Sequence, residues 1–120
     1  MRESLVKVVL VKVGEDPVEK ILRNSLSAFQ QEVHGNIECV SAFPDDSGET
    51  RIICREDGKA LGLPVNRFLY DNKGKAVDSV CGDFFLVGTY QGKEFCSLTE
   101  AAITRCLRQF RLHRETELER

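Results

Sequence analysis

Residues 5–13, LVKVVLVKV, constrain the fold more than any other part of this chain. β-branched side chains dominate, and an extended backbone sends alternate residues to opposite faces. Both faces here are mostly apolar, which predicts a central strand covered on two sides. GEDP at 14–17 is turn chemistry, with a proline that cannot serve an interior ladder. Residues 18–22 then read as a returning strand, so a hairpin is expected at the start.

A helix should follow from Ser25, with Asn24 as its cap. Leu26, Phe29 and Val33 give it one apolar stripe, and Gly35 is the expected left-handed stop. His34 falls where the helix dipole favours a cation. Residues 37–43 and 51–55 read as strands, with PDDSGE between them and the turn EDGK after them. Asp45 and Asp46 lack EF-hand spacing and a histidine partner, so no metal is expected there. Residues 77–81 and 82–87 extend the sheet, Gly82 marking a bulge or a close backbone approach.

CSLTE supplies a capping box, Ser97 at the cap and Glu100 three residues on. Ile103, Cys106, Leu107 and Phe110 mark the buried face of a second helix. That helix carries Arg105, Arg108, Arg111 and Arg114 with no acid among them, which makes either a solvated face or a contact surface. The expected fold is a single α+β domain over residues 1–120, with 114–120 fraying. It holds a small, mainly antiparallel β-sheet, two α-helices added to one side and a short helical turn.

Composition narrows the function. Lys and Arg number 17 against 19 Asp and Glu, a formal charge of −2. Such a balance excludes a global field that draws the protein onto nucleic acid or an anionic membrane. No apolar segment reaches the length of a signal peptide or a membrane span. Five cysteines without C-x-x-C spacing suit a reducing compartment, and a cytoplasmic location is expected.

The chain has no Gly-rich phosphate loop, no H-E-x-x-H, no G-x-S-x-G and no metal-grade cluster of Cys and His. No cofactor, metal or catalytic residue is assigned. His34 and His113 are the two histidines. A Cys–His nucleophile would fall to Cys81 or Cys96, which lie at element edges. Cys39, Cys54 and Cys106 occupy packing positions, where thiols are inert.

Residues 61–70, LGLPVNRFLY, hold the densest set of recognition chemistry. Gly62 and Pro64 suggest a bend into the short helical turn, with Val65, Phe68 and Leu69 packing inward. Asn66 offers donors and an acceptor, and Arg67 a rigid cationic fork. With Tyr70 or Phe68 to stack on a ring, the set suits an anionic planar ligand such as a nucleotide. Asn66, Arg67 and Tyr70 are therefore the candidate ligand site, and Arg105, Arg108, Cys81 and Cys96 are secondary candidates. A structural role competes, with Asn66 bonding a neighbouring loop and Arg67 pairing with Asp71 or Asp78.

The run GKALGLPVNRFLYDNKGKAVDSVCGDFFLVG, the opening VKVVLVKVGEDP, VHGNIECV and FCSLTE together resemble the family of domain of unknown function 3846. The resemblance covers nearly the whole chain and is sharpest at G-L-P-x-N-R, residues 62–67. It implies a setting in phages, plasmids and other mobile elements of Gram-positive bacteria, without a mechanism. The expected function is a non-enzymatic accessory binding module for an anionic nucleotide-like ligand or a host defence component. The alternatives are a protein-interaction module using a strand edge or the basic helix, and a cysteine-dependent hydrolase. Nucleic acid and membrane are not expected partners. A second copy of the chain is one, through an exposed strand edge.

Overall fold

The computed structural model describes residues 4–112. The opening run forms β1 (Leu5–Val11), which turns back through 12–17 into β2 (Val18–Arg23). After α1 (Leu26–Val33) come β3 (Ile37–Ser41), β4 (Thr50–Arg55), β5 (Val65–Tyr70) and β6 (Ala76–Cys81). The chain continues through β7 (Phe84–Tyr90), β8 (Glu94–Cys96) and α2 (Glu100–Gln109). Two antiparallel sheets result. The larger has six strands in the order β2-β1-β7-β4-β3, with β8 pairing the far end of β7, and β5 and β6 make a separate two-stranded sheet. The architecture is α+β, mainly antiparallel, with two helices.

β1 lies inside the large sheet, and strand parity sorts its apolar residues onto two cores. Val6, Val8 and Leu10 join Leu22, Ile53, Phe85 and Val87 beneath Phe29 and Val33 of α1. Val9 and Val11 join Ile52, Phe84 and Leu86 beneath Ile103 and Cys106 of α2 and Phe110 at its C-cap. The helices thus cover opposite faces instead of sharing one side. The reason is β1 itself: a strand apolar on both faces needs cover on both. Each fully buried Val, Leu, Ile or Phe is worth roughly 1.5–3 kcal/mol relative to exposure. On the α2 side the cover is completed by the β5–β6 hairpin, which contributes Val80 and the partly buried Leu69.

Several local expectations change. Ser25, not Asn24, caps α1, its hydroxyl accepting from the Ala28 N–H at 3.2 Å. Asn24 is buried and donates to the Phe95 carbonyl at 3.1 Å, so it ties α1 to β8. His34, not Gly35, takes the left-handed stop at φ 67°. Leu26 leaves the apolar stripe for solvent, while Phe29 and Val33 stay in it. Thr99 caps α2 in place of Ser97, whose hydroxyl instead accepts from the Lys7 N–H. The fraying expected at 114–120 lies outside the described residues. No described helix is long and apolar enough to cross a membrane.

Candidate functional site

The helical turn expected at Pro64 is a strand. Residues 65–70 pair with β6 from Val65↔Cys81 to Tyr70↔Ala76, with register shifts between Val65 and Arg67 and between Leu69 and Tyr70. One helical-type turn does form upstream of the proline, where the Leu61 N–H donates to the Asp57 carbonyl at 2.9 Å. Val, Phe and Tyr favour the pleated surface, and β6 supplies the partner that a lone helical turn would lack. Gly82 is no bulge inside a strand. It sits between β6 and β7 at φ 83°, where an added Cβ would stand 2.9 Å from Leu63 Cδ1.

Strand geometry reassigns the side chains of β5. Leu69 packs against the core, whereas Phe68 is 53% exposed and Tyr70 45%. Asn66 and Arg67 turn into the chain, Asn66 towards the backbone of a neighbouring loop as its structural role anticipates. Asn66 Nδ2 donates to the carbonyls of Val11 and Gly82, both at 2.9 Å. Its Oδ1 accepts from Arg67 Nη1 at 2.6 Å. Arg67 also donates through Nε to the Phe110 carbonyl at 2.9 Å, through Nη1 to the Asn66 carbonyl, and through Nη2 to the Glu15 carbonyl at 2.7 Å.

The expected carboxylate partners of Arg67 are occupied elsewhere. Asp71 caps its own turn by accepting from the Lys73 and Lys75 N–H groups. Asp78 takes Lys59 at 2.5 Å. Partial burial pulls the Arg67 pKa below its ordinary value, opposed by Asp16 nearby. The pair therefore fastens β5 to the end of β1, the β1–β2 turn and the last turn of α2. The Leu112 N–H adds a second tie to that turn by donating to Asp16 Oδ1 at 2.9 Å.

Two hollows meet at the exposed rings of Phe68 and Tyr70. One, of about 270 Å³, lies between β5, the loop at 42–45 and α2, with Arg105 and Gln109 on its wall. The other, of about 210 Å³, is bounded by Asn66, Arg67, Gln109 and Arg111. Arg105 lies 3.8 Å over the Phe43 ring and pairs with Asp45 at 2.9 Å. Asp46 is a structural acid, accepting from the N–H groups of Gly48 and Thr50. Arg108 is exposed in the last turn of α2, where its charge complements the helix dipole. Arg111 follows α2, and Arg114 lies outside the described residues. Sequence spacing missed Gln109 and Arg111 as neighbours of the aromatics, because nothing local links a strand at 65–70 to a helix end 40 residues on.

Burial pushes the Cys106 thiol up to about 12 and, with Glu38 adding to it, the Cys54 thiol up to about 11. Cys39, expected at a packing position, is exposed on the edge strand β3, and burial of its thiol still raises its pKa against Arg51. Cys81 is half-buried and lines a third hollow of about 300 Å³ with Cys54, Lys59 and Asp78. Cys96 is half-buried on β8, beside Gly88. The exposed His34 stands 3.7 Å from Asp83, and His113 lies outside the described residues. Among the described residues no group of three His, Cys, Asp or Glu side chains could hold a metal.

Comparison with curated proteins and with solved structures gives no match. The family model of domain of unknown function 3846 matches residues 6–111, a span that runs from the second residue of β1 through α2. The chain belongs to the family of domain of unknown function 3846.

Proposed function

We propose that the chain is a non-enzymatic binding module whose ligand is an anion carrying a planar ring, a nucleotide in the simplest case. The ligand lies along Phe68 and Tyr70. The observation that carries this reading is two large aromatic side chains left 53% and 45% exposed between two arginine-bearing hollows. Exposed aromatic faces are stacking platforms, and an arginine beside them can take a phosphate bidentately. In this reading Tyr70 and Phe68 hold the ring and Arg111 meets the charge. Asn66 and Arg67 form the wall that fixes the site, and Arg67 retains its positive charge there. The raised thiol pKa values of Cys54 and Cys106 disfavour thiol chemistry at those two buried positions. The family resemblance extends the proposal to an accessory protein of a phage or plasmid, acting on a signal or component of host defence.

Isothermal titration against mono-, di- and cyclic nucleotides, with inorganic phosphate as control, tests the reading. Phe68→Ala and Arg111→Glu should each weaken binding about tenfold or more, the equivalent of ~1.4 kcal/mol. Their thermal unfolding should stay within a few degrees of the parent. Absence of heat and of any thermal shift across the panel overturns the proposal.

A further inference from the structure

The six-stranded sheet ends in two unlike edges, β2 and β3. β2, VEKILR, carries Glu19, Lys20 and Arg23, the charged guards that keep natural edges from pairing. β3, IECVS, has one charge, Glu38, and neither Lys, Arg nor Pro. Its register with β4 runs from Ile37↔Arg55 to Ser41↔Arg51 without a bulge. Among the described residues, no strand lies on its outer side.

Ladder parity tells which backbone groups face outward. The Ala42 N–H donates to the Thr50 carbonyl, and the Asn36 carbonyl accepts from the Glu56 N–H. Even-numbered residues along β3 therefore bond to β4, and Ile37, Cys39 and Ser41 aim their N–H and C=O groups away from the sheet.

We propose that β3 is a homodimer seam, pairing antiparallel with β3 of a second copy about a two-fold axis at Cys39. This register alone lets all three outward residues exchange hydrogen bonds: Cys39 with Cys39 of the second copy, and Ile37 with its Ser41 in both directions. It also sets Glu38 opposite Val40 of the second copy. Shifting the axis to Glu38 would oppose two carboxylates, which destabilises a cross-strand pair. Shifting it to Val40 would leave Ile37 unpaired. Glu38 and Val40 line the hollow of about 300 Å³ beside β6, so each copy contributes side chains at the mouth of the other's hollow. A five-residue seam is small against the roughly 1,000 Å² of a stable interface, so the association is weak and shows at high concentration. The seam stands apart from the aromatic groove and does not depend on the ligand reading.

Hydrogen-bonded antiparallel partners sit about 5.5 Å apart at Cα, within disulfide reach. Diamide, which takes up the two electrons and two protons released, should therefore link Cys39 to Cys39, as read by peptide mapping. The linkage should form at least about tenfold faster than in a control with Cys39→Ser and Lys20→Cys, which moves the thiol to the guarded edge. A sedimentation series should show concentration-dependent dimer in the parent, abolished by Cys39→Pro, since that N–H makes no bond within the sheet. Ser41→Pro serves equally if Cys39→Pro does not fold. Equal linkage rates at the two edges overturn the proposal, as does a dimer that survives a folded proline variant or a parent that stays monomeric throughout the series.

Discussion

Asn66 and Arg67 work as one device: the amide oxygen orients the guanidinium, and the guanidinium's remaining donors collect carbonyls from three separate parts of the chain. Hydrogen bonds from a charged donor contribute roughly 1.5–3 kcal/mol, and those to the Phe110 and Asn66 carbonyls are partly buried. Arg67→Ala should therefore lower the unfolding free energy by about 2 kcal/mol in urea titration. Arg67→Lys should recover little, because a point charge cannot serve carbonyls arranged around a planar fork. In a double-mutant cycle with Asn66→Ala the two losses should fall short of additive by about 1 kcal/mol. Additive losses would mean that the pair acts as two unrelated bonds. The residue types were legible in the sequence as a polar pair beside a proline. Their direction was not, because spacings of three and four suited a helix, and a register shift between Val65 and Arg67 breaks the alternation of β5.

At the scale of elements, capping separates what a motif suggests from what geometry selects. CSLTE offers both Ser97 and Thr99, and the Lys7 N–H of β1 claims the first. Only Thr99 remains at the entry to α2, accepting from the Ala102 N–H at 3.1 Å. Thr99→Ala should cost about 1 kcal/mol and speed amide exchange in the first turn of α2. Ser97→Ala should leave that exchange unchanged and instead loosen Lys7. Equal effects on α2 from both substitutions would restore Ser97 as the cap. The hairpin of β1 and β2, the strands β3, β4 and β6, and both helices were readable from periodicity. β5 was not, since a short apolar run fits either period until a partner strand fixes it.

Over the whole molecule, two buried thiols on the α2 side link stability to alkaline pH. Cys54 and Cys106 ionise near their ordinary value of 9.0 when unfolded, but at about 11 and about 12 in the folded chain. Between those limits the unfolded state holds fewer protons, so stability is fully present below about pH 9 and declines as pH rises towards 12. Cys106→Ala should cost stability at neutral pH by opening a cavity. The gap between it and the parent should then narrow steadily above about pH 9, as followed by urea midpoints. A constant gap would show that the thiol keeps its ordinary pKa in the fold.

The sequence by itself determined the α+β class, a doubly covered first strand and the family, because these rest on local periodicity and on motifs contiguous in the chain. The tertiary structure decided that the helices take opposite faces, that Arg67 spends its donors on its own backbone and that Phe68 and Tyr70 stand open beside α2. Those outcomes depend on which distant carbonyl or helix end reaches a side chain first. That competition is settled by packing between segments far apart in sequence, and no local pattern records it.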